Sequence, residues 1–269
     1  EDPNAEDTHT RVYSTLGNPN LLAGYLLLVL PLGFALPFEF KTNNFSKLLF
    51  LIGNLIILTS IIFTGSRGAY IAVLAQIVIS TIVIAILFLK KFKINPLLVI
   101  VITFICSVIA IGIITLLFPV VKERILTIFT LREHSSNSYR VNVWISCLNM
   151  LKDNILIGIG PGNSTFRLAY GLYMISGFDA LAAYNIFLEF AVEIGVLGGF
   201  IALFIFLISF LKLHVIFWDK GRFLGLGIFI SLIGVLLHGM FDTVFFRPQI
   251  FIPFWLLIAG IDKLENNKE

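Results

Sequence analysis

The sequence predicts an all-α membrane protein: a polytopic transmembrane helical bundle of about seven spans, with a long extracytoplasmic loop that carries an amphipathic helix. Composition is the first reason. The chain is 58% hydrophobic and 13% charged, whereas soluble domains are about 45–50% apolar and about 25% charged. The second reason is that long apolar runs recur, each near the roughly 20 residues that a hydrocarbon core of about 30 Å requires.

The predicted spans are residues 21–37, 47–63, 69–89, 96–119, 181–213, 221–242 and 249–261. Residues 120–180 are more polar and form the long loop. Residues 21–269 are expected to form a single transmembrane domain. The chain begins without Met and has no signal-peptide pattern, so residues 1–20 are expected to be an extracytoplasmic stretch of a fragment whose earlier spans are missing.

Lysines orient the predicted bundle. Seven spans place all the lysine-rich loops on one face, which the positive-inside rule assigns to the cytoplasm. These lysines are Lys41, Lys47, Lys90, Lys91, Lys93, Lys212, Lys220, Lys263 and Lys268. The long loop 120–180 is then extracytoplasmic.

Arginines collect on the opposite, outer face, and Arg222 is the one exception. The guanidinium group is planar, permanently charged and suited to two-point contact with phosphate or carboxylate. We therefore expect the outer face to bind an anion. The alternative is that these side chains anchor the interface and pair with nearby acids. The outer set is Arg11, Arg67, Arg124, Arg132, Arg140, Arg167 and Arg247.

The stretch "FTGSRGAY" (63–70) places Arg67 in a tight turn at the start of the predicted third span. Free N–H groups and the positive end of the helix dipole favour an anion there. Ser66 is a candidate cap, and Gly65 and Gly68 allow close backbone approach. The alternative is a plain hairpin turn with an arginine that reaches for the interface.

Within the long loop, residues 137–154 have apolar side chains at Val143, Cys147 and Met150, a spacing that predicts a helix lying on the outer membrane surface. Arg140 lies in its first turn. The glycines of "GIGPGN" (158–163) predict a tight loop with exposed N–H groups, which suits an anion but fits no nucleotide fingerprint.

The apolar stretch "AAYNIFLEFAVEIGVLGG" (182–199) carries Asn185, Glu189 and Glu193 at i, i+4 and i+8, on one face of a helix. Charged residues inside a membrane usually face protein or water, so this stripe indicates either a site or polar helix packing. "GVLGG" (195–199) predicts a patch where another helix packs closely.

His238 and Asp242 are four residues apart at the end of the predicted sixth span, which predicts a hydrogen-bonded pair. Such a pair either shuttles protons or satisfies two buried polar groups. Arg247 follows in the next outer loop.

Six stretches in order resemble a known family: "RVYSTLGNPNLLAGYLLLVLPL", "SRGAY", "YRVNVW", "GIGPGN", "NIFLEFAVEIGVLG" and "HGMFDTVFFRPQ". They resemble the O-antigen ligase and polymerase superfamily of membrane proteins, most closely its cyanobacterial IctB-type branch, which is named for a proposed role in bicarbonate accumulation. The resemblance implies a multi-pass protein of the bacterial inner (plasma) membrane.

The ligases of that superfamily are metal-independent inverting glycosyltransferases that take a glycan from undecaprenyl pyrophosphate at the outer membrane face. The resemblance implies that Arg67 and Arg140 hold the pyrophosphate. From the residues themselves, Arg247, Asn185, Glu193 and Asp242 are further candidate substrate-binding residues. It implies no cofactor and no metal, and a bilayer and a lipid-linked glycan or a small anion as partners. Nucleic acid is not expected.

Tyr184 departs from the family pattern. The ligase signature is His-Asn, nine residues, Gly, two residues, Gly; Asn185, Gly195 and Gly198 keep this frame, but Tyr184 replaces the histidine. A general base should titrate near the working pH, whereas tyrosine has a reference pKa of about 10. Either Glu189 or His238 therefore supplies the base, or the protein does not perform this transfer.

The rival hypothesis to glycan binding and transfer is bicarbonate transport or accumulation.

Overall fold

The computed structural model describes residues 11–92 and 136–266, together with Leu98, Val101, Ile102 and Ile105. This part of the chain is helical and contains no strand. Its helices are α1 (Pro19–Glu39), α2 (Asn44–Phe63), α3 (Arg67–Phe92), α4 (Ser136–Asp153), α5 (Asn163–Tyr170), α6 (Ile186–Trp218), α7 (Phe223–His238) and α8 (Pro248–Asn266), with 3-10 turns at Ser14–Leu16 and Val244–Phe246.

Four of these helices are long and apolar enough to cross a membrane: α1, α2, α3 and α6. Helix α7 is apolar but only 16 residues long. The all-helical, multi-pass membrane character predicted from the sequence is therefore confirmed. The count of seven spans stays a prediction, and the predicted fourth span (96–119) falls largely outside the described residues.

Helix α1 is central and packs against α2, α3, α7 and α8. It begins sharply because the Asn18 side chain accepts hydrogen bonds from the N–H groups of Asn20 and Leu21, with Pro at the first helical position. Deeper in the bundle, the Gln76 amide donates to the carbonyls of Leu27 (2.9 Å) and Ile230 (3.2 Å). This side chain ties α3 to both α1 and α7.

The two ends of the bundle differ in charge. At the end where α1 and α6 finish, Glu39 pairs with Arg222 and accepts from the N–H of Leu224, and Lys212 contacts Asp262 at 2.5 Å. At the other end α1, α3 and α8 begin, among arginines. Within the described residues, the lysines at the ends of α1 and α6 thus lie opposite the arginines at the starts of α3 and α8. Arg222, on the lysine side, pairs with the Glu39 side chain, which is 6% exposed.

Helix α6 is folded back on itself at Gly195. That residue has φ 73° and ψ 174°, which interrupts the helix. The rings of Phe190 and Phe206 lie 6.4 Å apart, although a straight helix would separate them by about 24 Å. A Cβ on Gly199 would lie 3.7 Å from the Cα of Ala191. Residues 186–194 therefore form a short arm and residues 196–218 a long arm.

The loop 155–162 supplies hydrogen-bond partners to the backbone groups of α6 that lose their helical partners at the reversal. Val196 N–H donates to the Ile155 carbonyl (2.8 Å), and Gly160 N–H to the Glu193 carbonyl (2.9 Å). Gly162 N–H donates to the Glu193 carboxylate at 3.0 Å. The expectation that this glycine loop offers exposed N–H groups to an anion is wrong, because α6 uses them. Within "GVLGG", Gly195 receives the loop, whereas Gly199 packs against Ala191 of the short arm.

Helix α4 packs against the short arm and α5. Its apolar residues Val143, Cys147 and Met150 are fully buried, with Phe166 of α5 and Val192 of the short arm in the same cluster. The prediction of a helix at 137–154 is correct, but its apolar face meets protein instead of lying on the membrane surface.

Candidate functional site

A cavity of about 910 Å³ lies at the arginine-rich end of the bundle. The N-terminal ends of five helices contribute to its lining: α1 through Asn20, α3 through Arg67, α4 through Arg140, α5 through Asn163 and α8 through Gln249. Helix N-termini carry partial positive charge and N–H groups that lack intrahelical partners. Their convergence therefore creates a region that favours negative charge.

Four arginines line this cavity: Arg11, Arg67, Arg140 and Arg247. Arg167 lies exposed on α5, apart from the cavity. Arg124 and Arg132 lie outside the described residues. The sequence had placed the arginines on one face; the structure brings four of them to one concavity.

A chain of hydrogen bonds links two of the arginines. Arg11 donates to the Thr64 carbonyl (2.7 Å) and to the Asn20 side-chain oxygen (2.8 Å). Asn20 in turn donates to Asp242 at 2.6 Å, and Asp242 lies 3.9 Å from Arg140. The network joins the α2–α3 turn, α1, the segment after α7, and α4, and so fixes the cavity wall.

The turn before α3 packs directly on the end of α7. Ser66 Oγ is hydrogen-bonded to His238 Nε2 at 3.2 Å. A Cβ on Gly68 would lie 3.2 Å from His238 Cδ2, so the glycine permits this approach. Ser66, the residue before the first residue of α3, thus also contacts the imidazole of His238.

His238 and Asp242 do not form the predicted pair. Helix α7 ends at His238, so the two residues do not share a helical face. His238 bonds Ser66, whereas Asp242 is held by Asn20, Arg140 and the N–H of Val244. Both residues nevertheless line the cavity.

Tyr184 lies in the cavity wall with positive φ (51°), directly before the cap of α6. Its ring lies 5.9 Å from the Arg140 Cζ and makes an edge contact with Tyr139. Burial raises the pKa of the Tyr184 phenol well above its usual range. The phenol is therefore protonated at neutral pH, and its ring faces the Arg140 guanidinium.

The predicted polar stripe of α6 has three separate environments. Asn185 caps the helix by accepting from the N–H groups of Phe187 (3.0 Å) and Leu188 (3.1 Å). Glu189 lines the cavity, and its Oε2 accepts from Ala183 N–H at 2.5 Å. Glu193 binds the glycine loop and lies outside the cavity lining.

The site residues named from sequence thus divide into two groups. Asn185 and Glu193 have structural partners outside the cavity lining. The others line the cavity together: Arg67, Arg140, Tyr184, Glu189, His238, Asp242 and Arg247.

Sequence reasoning missed Asn20 and the connecting role of Arg11. The available signal was "GNPN" (17–20), a helix start that falls on the same outer side as the arginines. Within residues 11–92 and 136–266, no group of three or more His, Cys, Asp or Glu side chains could hold a metal ion.

The fold and cavity define a multi-pass helical membrane protein with a cationic site at one end of its bundle. A family model described as O-antigen ligase matches residues 52–203, more than half of the chain, and the protein belongs to that family. A search among curated proteins gives no significant match to the chain.

Proposed function

We propose that the cavity opens on the extracytoplasmic face of the bacterial inner membrane and binds a glycan linked to a polyprenyl diphosphate. The observation that carries this proposal is the convergence of four arginines and five helix N-termini on one cavity. Arg67 and Arg140 contact the diphosphate, and Arg247 contributes a further cation. The cavity volume, about 910 Å³, is in the range of about 300–1,000 Å³ typical of small-molecule sites.

The bound glycan is transferred to an acceptor hydroxyl, with Glu189 as the general base. Among the described residues Glu189 receives one hydrogen bond, on Oε2, which leaves Oε1 to take the acceptor proton. The acceptor oxygen attacks the anomeric carbon, the bond from that carbon to the diphosphate oxygen breaks, and the diphosphate leaves with its charge held by arginine. His238 is less suited, because its Nε2 bonds Ser66.

Binding and transfer are tested separately with purified protein in nanodiscs and a labelled undecaprenyl diphosphate glycan. Losing charged hydrogen bonds to phosphate costs about 1.5–3 kcal/mol each, so Arg67→Ala and Arg140→Ala should weaken binding by about 10- to 100-fold. Arg167→Ala is the matched control and should bind as the parent does. Equal affinity in all three variants would remove the site assignment.

The chemical step is tested with Glu189→Gln, which keeps the shape of the side chain. Loss of a general base lowers rates by about 10²–10⁴-fold, so transfer should fall by this factor with binding retained. If the parent protein binds the lipid-linked glycan without transferring it, the base assignment is wrong and the protein is a non-catalytic binding subunit.

Bicarbonate handling, the function suggested for the IctB-type branch, is the second candidate, because the cationic cavity also suits a small anion. The size of the cavity favours the larger ligand: about 910 Å³ is some thirty times the roughly 30 Å³ that one water molecule takes up in the liquid. Uptake of labelled bicarbonate into proteoliposomes, abolished by Arg67→Ala, would support this candidate instead.

A further inference from the structure

The outer part of the molecule exposes large apolar side chains outside the predicted spans. Ile157 in the loop before α5 is 83% exposed, and Leu168 and Leu172 on and after α5 are 79% and 84% exposed. On the opposite face of α5, Phe166 and Tyr170 are fully buried against α4 and the short arm. Helix α5 therefore carries apolar side chains on two faces. One face packs against protein, and the other is directed outward.

The loop before α5 lies beside the start of the long arm of α6. Val196 N–H donates to the Ile155 carbonyl, which places the loop beside the first residues of the long arm. There Leu197 and Phe200 are exposed, on a helix that is long and apolar enough to span a membrane. The exposed Ile157 at the loop tip and the exposed Leu197 of the span therefore lie on adjoining backbone segments.

Soluble surfaces rarely expose contiguous apolar patches of this kind, and such patches mark interaction or membrane sites. Helices that lie in the interface bury an apolar face about 5–10 Å into the boundary between headgroups and acyl chains. The backbone of the loop is compatible with that environment, because its N–H groups at Gly158, Ile159 and Gly160 have backbone acceptors.

We propose that the loop tip at Ile157 and the outward face of α5, with Leu168 and Leu172, insert into the outer leaflet of the bilayer. This membrane contact anchors the α4–α5 part beside the cavity and is independent of the ligand that the cavity binds. Helix α4 buries Val143, Cys147 and Met150 in protein but exposes Val141, Ile145 and Leu148, so α5 and the loop extend the interfacial role that the sequence suggested for α4.

The proposal is tested with spin labels in nanodiscs, in a Cys106→Ser background, since Cys147 is fully buried. Labels at Ile157→Cys and Leu172→Cys are compared with Lys152→Cys as an aqueous reference and Phe204→Cys as a lipid reference. The expected result is high collision with oxygen and low collision with a water-soluble nickel complex at 157 and 172, as at 204. Nickel accessibility equal to that at 152 would overturn the proposal.

Exclusion of both reagents at 157 and 172 would also overturn it, because another protein surface, such as a second copy, would then cover the patch. A second measurement uses the unsubstituted chain, so that its result does not depend on how the cysteine variants fold. Lipids with a photoreactive acyl chain should label the peptides containing residues 155–157 and 168–172, as well as residues 197–204. Labelling of residues 197–204 alone would contradict membrane insertion of the outer face.

Discussion

Replacing Gly195 with alanine should disrupt the reversal of α6. The residue has φ 73° and ψ 174°, a region that is essentially restricted to glycine and costs other residues about 1–3 kcal/mol. A Cβ there would lie 2.1 Å from the carbonyl oxygen of Leu156 and 2.7 Å from the nitrogen of Ile157. Because these are backbone atoms, the whole loop would have to move.

Movement of the loop breaks three backbone hydrogen bonds between residues 155–160 and α6. At about 1 kcal/mol for each bond, together with the backbone strain, Gly195→Ala should lower the free energy of unfolding by about 4–6 kcal/mol. We would measure it by SDS-induced unfolding of the purified protein in detergent, followed by tryptophan fluorescence.

The matched control is Gly199→Ala. A Cβ at position 199 would meet its nearest neighbour at 3.7 Å, an ordinary contact, and alanine is a better helix former than glycine by about 1 kcal/mol. This variant should be as stable as the parent or slightly more stable. If the two variants unfold at the same SDS concentration, the reversal at Gly195 is not the structural constraint described above.

Three further predictions address other parts of the molecule. Asn185→Ala should lower the free energy of unfolding by about 0.5–2 kcal/mol through loss of the α6 cap, with unchanged affinity for the lipid-linked glycan; weakened binding at full stability would instead make Asn185 a ligand contact. Arg222→Met leaves the buried Glu39 carboxylate without its cation and should cost about 3–5 kcal/mol in the same unfolding assay, whereas a near-neutral result would show that water reaches the carboxylate. Burial raises the pKa of Tyr170 to about 12 from about 10 in an unfolded chain, so its contribution to stability is full below pH 10 and is lost as the pH rises through 12; because burial also raises the pKa of Tyr184, phenolate absorbance should show at least two tyrosines fewer ionising near pH 10 than after unfolding, and Tyr170→Phe should reduce that difference by one tyrosine.

The separation of lysines from arginines could be predicted from the sequence, because the positive-inside rule is applied to each loop without knowledge of how the helices pack. The predicted order of spans places Arg67 and Arg247 at the same end, and both line the cavity. Their meeting with Arg140 at a single cavity required the packing of α4 beside the short arm, which hydropathy does not encode.

Two predictions failed because they assumed uninterrupted helices. His238 and Asp242 fall four residues apart, but α7 ends between them. Asn185 and Glu193 share a helical spacing with Glu189, but Asn185 precedes the helix as its cap. The reversal at Gly195 had one available signal: α6 has 33 residues, far more than the roughly 20 that a single crossing needs.

The short arm of α6 is secured at both ends, by Ile186 N–H to the Gly239 carbonyl (2.7 Å) and by the loop at Gly195. These contacts attach the short arm, and with it Glu189, to neighbouring backbone instead of leaving it as a straight continuation of the span. Membrane helices adapt to thicker or thinner bilayers by tilting, so we expect tilt of the long arm to displace Glu189 less than it would in one uninterrupted helix.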